Sequence, residues 1–268
     1  MTIADPSLPP TADRVAPLLA TRWLGRAFEW HATCASTSDL AADRARAGAP
    51  AGLVIAADAQ TGGRGRLGRV WHSPPGENLY VSLLLRPRRT AAEIPPLTLL
   101  AGAAVARAVA TLGVAPRLKW PNDVQLVDAA GRRRKLAGVL TEMVSAGARV
   151  EHVVVGIGIN ANATAFPAEL ADRATSLRLA TGQPERPIDR ARLLASLMDA
   201  FEPLYDDFER RGPAAAVAAF TEYAALPDRC RVDDRLEGVA LGVDPDGALR
   251  LRDDAGQIHR VISGEVQP

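Results

Sequence analysis

Gly63-Arg-Gly-Arg-Leu-Gly68 carries the spacing G-x-G-x-x-G, and the residues directly after it constrain the fold more than the motif does. In a dinucleotide-binding βαβ unit the motif must open a helix, because the helix N-terminus holds the pyrophosphate. Here Val70-Trp-His-Ser-Pro-Pro-Gly76 comes next, and that run cannot continue a helix. A nucleotide-binding doubly wound sheet is therefore excluded. A Walker A loop needs Gly-Lys-Ser/Thr where this chain has Gly68-Arg69-Val70, and no further kinase signature accompanies the loop. What Gln60 to Trp71 retains is four glycines interleaved with three arginines and closed by a tryptophan. Glycines let backbone amides approach a ligand closely, and guanidinium forks match phosphate and carboxylate oxygens. The segment reads as a clamp for a phosphate-bearing ligand; the plainer alternative is an exposed charged turn.

The charge balance sharpens this. Lys and Arg total 32 against 31 Asp and Glu, a net charge of +1, so no global field draws the chain to nucleic acid or a membrane. Any anion binding must come from local clusters. Cys34 and Cys230 lie far apart, and neither they nor the four histidines show metal-ligand spacing. The first residues lack the layout of a signal peptide, and no uninterrupted apolar run approaches the roughly 18 residues of a membrane span. A cytoplasmic setting is expected.

The chain reads in three parts: a leader and helix over 1–24, a catalytic domain over 25–226 and a small β-rich domain over 227–268. Residues 1–10, with three prolines, form a loose leader, and apolar spacing predicts a helix from Thr11 to about Leu24. Ser36-Thr-Ser38 opens a second helix that stops at Gly48; its hydroxyls either cap the helix or contact a polar ligand. Leu79–Leu85 is a buried strand, Pro95 to about Leu112 a helix, and Leu118-Lys-Trp-Pro-Asn-Asp-Val124 a strand broken at Pro121. The strand resumes to Val127, turns through the arginine-rich 128–134, and pairs back from Lys135 to Val144. Val150 to Asn160 is a further strand, with Gly156 and Gly158 marking close approach of a ligand or backbone. A loop with a short helix covers 161–174. Helices follow at about 188–210, with Pro203 predicting a kink, and 213–225; the apolar stripe of the first is core. From Cys230 short strands alternate with Asp-Pro-Asp-Gly and Asp-Asp-Ala-Gly turns, a small barrel or half-barrel. The fold class is α+β with an all-β tail.

Ser36-Thr-Ser38, Gln60 through Trp71, Lys119-Trp-Pro-Asn-Asp123, Lys135-Leu-Ala-Gly138 and Gly156-Ile-Gly-Ile-Asn160 together, in this order, resemble the biotin–protein ligase family. The likeness spans about residues 25–268. It implies a mixed-sheet catalytic domain of the biotin/lipoate ligase type, followed by an SH3-like β-barrel. It also implies the chemistry: biotin and ATP give biotinoyl-5′-AMP and pyrophosphate, and a lysine of the biotin carboxyl carrier protein then displaces AMP. Mg²⁺ would accompany the ATP phosphates, with Asp123 as a candidate ligand. By position, the resemblance puts Ser36, Thr37, Ser38 and Gln60 on the biotin head; Ser38 stands where the family commonly has asparagine. Gly63, Arg64 and Arg66 would hold carboxylate and phosphate, with Arg69 supporting the loop. Lys135 would grip the carboxylate–phosphate junction, and Gly138 would leave room for biotin. Asn122 and Asp123 would orient the nucleotide or its metal, and Trp71 and Asn160 would border the adenine. Asp123 is further expected to help deprotonate the incoming lysine. Lys135, Arg66 and Asp123 are the expected catalytic residues.

The competing readings are a lipoate–protein ligase or octanoyltransferase, and a non-catalytic biotin- or nucleotide-binding module. Cys34 lies outside every motif, which disfavours an octanoyltransferase. Specific DNA binding is not expected, since about 30 residues before the first strand leave no space for a helix-turn-helix module behind a leader. The chain is expected as a monomer or homodimer, with its clamp mobile when empty.

Overall fold

The structure, a computed structural model, describes residues 8–183 and 185–267. Seven strands form one sheet: β1 (Phe28–Cys34), β2 (Val54–Gln60), β3 (Leu79–Leu85), β4 (Arg117–Lys119), β5 (Asp123–Val127), β6 (Arg133–Ala146) and β7 (Arg149–Ile159). Their order is β1-β2-β3-β7-β6-β5-β4. The β1–β2 pair is parallel and the others are antiparallel. A helix α1 (Ala12–Val15) precedes the sheet. Helix α2 (Thr37–Arg46) packs on one face, while α3 (Leu97–Ala110), α6 (Arg190–Arg211) and α7 (Pro213–Thr221) pack together on the other. The short α4 (Ala168–Ala171) and α5 (Leu177–Ala180) follow β7.

Strand alternation explains where the cavity lies. Leu79, Val81, Leu83 and Leu85 of β3, with Val153, Val155, Ile157 and Ile159 of β7, enter the large core under α3 and α6. The alternate residues face α2. There Leu84 and Val154 pack with Ile55, Ala41 and Ala45 in a second, smaller cluster. Further along the same face the side chains shrink to Ser82, Gly156 and Gly158, past the N-terminus of α2. Tyr80 shares this face beside Gly158 and donates its hydroxyl to Pro74 O, so small residues and polar groups mark the part of the sheet that α2 leaves uncovered.

The expected long N-terminal helix is not formed. Residues 1–7 of the expected leader lie outside the described residues. Helix α1 gives way to a 3₁₀ turn at Ala16–Leu18, where Pro17 brings no N–H, and Thr11 makes no side-chain cap. Beyond it the amides of Arg22, Trp23 and Leu24 donate to the carboxylate of Glu202 at 2.7–3.0 Å, which stabilises a turn in place of a helix. Helix α7 stops at Thr221, before the expected Ala225, because Tyr223 and Ala225 hydrogen-bond across the edge of β4 at Leu118. Pro203 sits inside α6 without dividing it. Its apolar stripe, including Leu197, Phe201 and Phe208, is core, as expected. The segment Ala91–Ala110 is long and apolar enough to cross a membrane by length and composition, but its side chains are mostly buried in the protein core.

The tail forms a five-stranded antiparallel sheet from β8 (Arg229–Val232), β9 (Leu236–Val243), β10 (Leu249–Arg252), β11 (Ile258–Val261) and β12 (Val266–Gln267), in the order β11-β10-β9-β8-β12. Asp244–Gly247 and Asp253–Gly256 make its turns. The sheet is seated against the larger one: Trp120 Nε1 donates to Gly247 O at 2.9 Å, and Cys230, Val232, Leu249 and Leu251 join the large core.

Candidate active site

A cavity of about 640 Å³ lies on the uncovered sheet face, inside the range of roughly 300–1,000 Å³ typical of small-molecule sites. One end is built by the entrance to α2. Ser36 caps the helix, its Oγ accepting from Ser38 N at 3.2 Å. Thr37 and Ser38 are then free to turn their hydroxyls onto Ser82, at 2.8 and 3.1 Å. Gln60, at the end of β2, accepts from Thr37 N at 2.9 Å and Thr37 Oγ1 at 3.2 Å. Its amide donates to Ser73 Oγ at 3.1 Å, and Ser73 donates to Trp71 O. Ser82 is fully buried. Ser82 faces Gly156, where an added Cβ would stand 2.7 Å from Ser38 Oγ. The missing side chain at Gly156 is what lets Ser38 come down onto the sheet, and both residues line the cavity.

The strand β6 leads away from this end. Leu140 pairs with Gly156 and Gly138 with Gly158. The indole of Trp71 lies over this glycine pair: a Cβ at Gly158 would be 2.4 Å from Trp71 Nε1, and one at Gly138 3.1 Å from the ring. The glycines do mark a close approach, as expected, but the group that makes it at Gly158 and Gly138 is Trp71. The β5–β6 register then shifts from Val124↔Ala137 to Gln125↔Lys135, leaving Leu136 in a bulge. The extra residue changes the strand's phase, so Leu136 goes to the core and Lys135 to the cavity.

Lys135 Nζ lies 2.6 Å from Asp123 Oδ1 and 5.4 Å from the Trp71 ring centroid. Asp123 Oδ1 makes no aligned hydrogen bond despite that distance, so the contact is an ion pair rather than a directed bond. Trp71 Nε1 is buried without a partner among the described residues. Arg66 Nη1 donates to Asn122 Oδ1 at 3.3 Å and Gly264 O at 3.4 Å; Asn122 is itself fixed to Val139 O. Burial pushes the Arg66 guanidinium below its ordinary value, with Asp123 acting in the opposite sense. Arg69 pairs with Glu265 of the small sheet, and Arg64 lies between Asp39 and Glu142. Asn160 donates to Thr175 O and holds the segment that closes the far wall.

All but one of the site residues read from the sequence line this cavity. Gly63 does not. It is buried behind the loop, where a Cβ would meet Ser73 Oγ and Trp71 O at 2.6 Å, so its glycine serves packing of the loop. The backbone of the loop is a small hairpin: Trp71 N donates to Gly63 O and Gly65 N to Arg69 O, with Leu67 at φ +57° at its tip. Sequence reasoning missed Ser82 and Ser73. It also missed the wall from Ala163 to Ala174, which carries Phe166. Ser82 had a readable signal: it is the one aliphatic hydroxyl, beside the Tyr80 phenol, in an otherwise apolar buried strand, and a buried hydroxyl must be bonded. The basic turn is largely self-contained, with Arg132 and Arg134 both bound to Asp128, whose carboxyl they hold well below the usual range.

Among the described residues no group of three His, Cys, Asp or Glu is placed to hold a metal ion. The oxygen donors that face the cavity beside Lys135 are Asp123 and Gln125, whose Oε1 has no partner among the described residues.

The model of the "Biotin/lipoate A/B protein ligase family" matches residues 31–160, and that of the "Biotin protein ligase C terminal domain" matches 229–267. The "Bifunctional ligase/repressor BirA" of Bacillus subtilis is 37% identical over 256 residues, covering 93% of this chain and 76% of that protein. The "Biotin--[acetyl-CoA-carboxylase] ligase" of Mycobacterium tuberculosis is 32% identical over 287 aligned positions, covering 99% and 98%. Among solved structures, the biotin protein ligase of Aquifex aeolicus in complex with biotin and ATP superposes with a TM-score of 0.76 at 28% identity, covering 90% of this chain and 98% of that one.

Proposed function

This chain belongs to the biotin protein ligase family, and from that premise we propose how its cavity joins biotin to a lysine of a biotin carboxyl carrier protein at the expense of ATP. Biotin's cyclic urea offers two N–H donors and a carbonyl acceptor, and hydroxyls that both donate and accept suit it. We place it at Thr37, Ser38, Gln60 and Ser82. Its chain would then run along β6 under Trp71, which brings its carboxylate to Lys135 and Arg66. There a carboxylate oxygen attacks the α-phosphorus of ATP; the new acyl–phosphate bond forms as the α–β phosphoanhydride breaks, and pyrophosphate leaves. Arg66 and Lys135 offset the charge that this step concentrates, and the cavity aligns the two anions. We assign Trp71, Asn160 and the 163–174 wall to the adenosine.

In the second step the lysine nitrogen attacks the acyl carbon and AMP departs with the electron pair of the broken bond. The amine must first lose a proton, and Asp123 is the carboxylate beside the reacting centre. Mg²⁺ would arrive with the triphosphate, an arrangement that suits a hard cation with Asp123 and Gln125 as the protein oxygens beside it. Free Cys34 and Cys230 suit a reducing, cytoplasmic setting.

The observation that carries this reading is the order of groups along β6: hydroxyls at Gly156, indole at Gly158, then the Lys135–Asp123 pair. A lipoate or octanoate ligase would meet an apolar acyl tail at the hydroxyl end, leaving several buried polar groups facing hydrocarbon, which is costly. Incubation with a biotin carboxyl carrier domain, biotin, ATP and Mg²⁺, followed by peptide mass spectrometry, tests the assignment. The expected result is one biotinylated lysine that requires ATP; labelling with lipoate instead of biotin would overturn it.

A further inference from the structure

We propose that Asp39 and Glu142 are positioning residues: together they hold Arg64 as a strap over the hydroxyl end of the cavity, so that bound biotin and biotinoyl-AMP leave slowly. The inference rests on reading the cavity as the biotin and ATP site. Arg64 Nη2 lies 2.8 Å from Asp39 Oδ1 and 2.9 Å from Glu142 Oε2. The two carboxylates come from opposite walls. Asp39 follows Ser38 in the first turn of α2, and Glu142 stands two residues beyond Leu140, the partner of Gly156 on β6. Residues two apart on a strand share a face, so Glu142 lies on the face of the cavity-lining Leu140, one step beyond it towards α2. Arg64 itself lines the cavity, so a guanidinium held by these two anchors sits at the edge of the hydroxyl end.

The charge count favours a strap over a ligand contact. Two carboxylates already compensate Arg64, so an incoming anion would have to compete with both. Arg66 differs: its hydrogen bonds go to an amide oxygen and a backbone carbonyl. The loop's own hairpin bonds tie it to itself, not to the walls. Arg66 and Arg69 fasten it on the side of Asn122, Gly264 and Glu265. On the biotin side the base of the loop is held by Thr61 N and Gly62 N donating to Cys34 O and Ala35 O, and Arg64 adds the side-chain fastening beyond that base; without it Asp39 and Glu142 would repel each other. All three groups are about half exposed, so each pair is individually weak and screened by salt. The expected effect is therefore several-fold.

The test is the double variant Asp39→Asn/Glu142→Gln in biotin-dependent ATP–pyrophosphate exchange, with release of preformed biotinoyl-AMP followed in parallel. The KM for biotin should rise about 3- to 10-fold and release should quicken by a similar factor, while the KM for ATP moves less than about twofold. Added salt should raise the biotin KM of the wild type and leave that of the double variant flat. Arg64→Lys, which keeps the charge but loses the fork, should retain part of the effect. An unmoved biotin KM and release rate in the double variant would overturn the strap, as would an equal rise in the ATP KM. Wild-type exchange, run alongside, tests the underlying reading separately: its absence overturns the assignment of the cavity, whereas exchange in the wild type with an unaffected double variant overturns the strap alone.

Discussion

At the hydroxyl end of the cavity, Thr37, Ser38, Ser82, Gln60 and Ser73 satisfy one another within 3.2 Å before any ligand arrives. Five residues along β6 from Leu140, which pairs with Gly156 at that end, Lys135 faces Asp123 in an ion pair without aligned hydrogen bonds, and Trp71 Nε1 has no partner among the described residues. The first end is a set of neutral groups held rigid by burial and by the capped helix. The second is a set of charges held by contacts that an anion can displace. Recognition asks for the former, because fixed donors and acceptors select a head group by its pattern. Charge transfer asks for the latter, because groups must change partners as phosphate charge develops.

The contrast implies that substitutions at the two ends differ in kind. The largest effect is expected for Lys135→Ala, which removes the cation proposed for the carboxylate–phosphate junction. Adenylation should fall about 10²- to 10³-fold with a much smaller change in the KM for biotin. A near-normal adenylation rate in single turnover would break the comparison. Next comes Asp123→Asn. Transfer from preformed biotinoyl-AMP to the carrier lysine should slow by about 10²-fold, and raising the pH should restore part of the loss by supplying free amine. Unchanged transfer would remove Asp123 from the proton's path and leave it as a partner for Lys135.

At the hydroxyl end the expected changes are in affinity. Ser82→Ala leaves the Thr37 and Ser38 hydroxyls each short of a partner, a cost of about 1–3 kcal/mol. The KM for biotin should rise about tenfold while the turnover number barely moves; a loss of turnover at saturating biotin would show that the two ends are not separable. The smallest effect concerns the contact of the loop with the small sheet. Arg69 holds the carboxyl of Glu265 below the usual range. A depressed carboxyl adds stability above its unfolded value of about 4.3, and that contribution is lost as the pH falls through the folded value. The contact should therefore loosen below about pH 4. Glu265→Gln should remove that share of the acid sensitivity and cost under about 1 kcal/mol at neutral pH, since the pair is exposed. Thermal unfolding as a function of pH, compared between the two proteins, reads it directly.

The same contrast governs how much was legible in the sequence. The core elements follow from strand alternation and from the apolar stripe of α6, and the helix entrance at Ser36 follows from capping chemistry. Exclusion of a dinucleotide fold needed only Pro74 and Pro75. Glycine signals were legible as close approach, yet the approaching group was not, because Trp71 and Gly158 are far apart in the chain and meet only through β3, β7 and the loop. The phase of Lys135 depends on a bulge at Leu136, which a hydrophobic pattern does not mark. Apolar spacing over residues 11–24 suggested a helix because burial was real at Val15 and Leu24, but three amides there find Glu202 from a distant helix. Partners supplied from far along the chain, as Asp39 and Glu142 are for Arg64, lie beyond any local reading.

The most direct test of the account is exchange of labelled pyrophosphate into ATP by the wild-type protein, with and without biotin. The expected result is exchange that requires biotin and Mg²⁺, is not supported by lipoate, and is lost in Lys135→Ala. Exchange that proceeds without biotin, or equally well with lipoate, would contradict it.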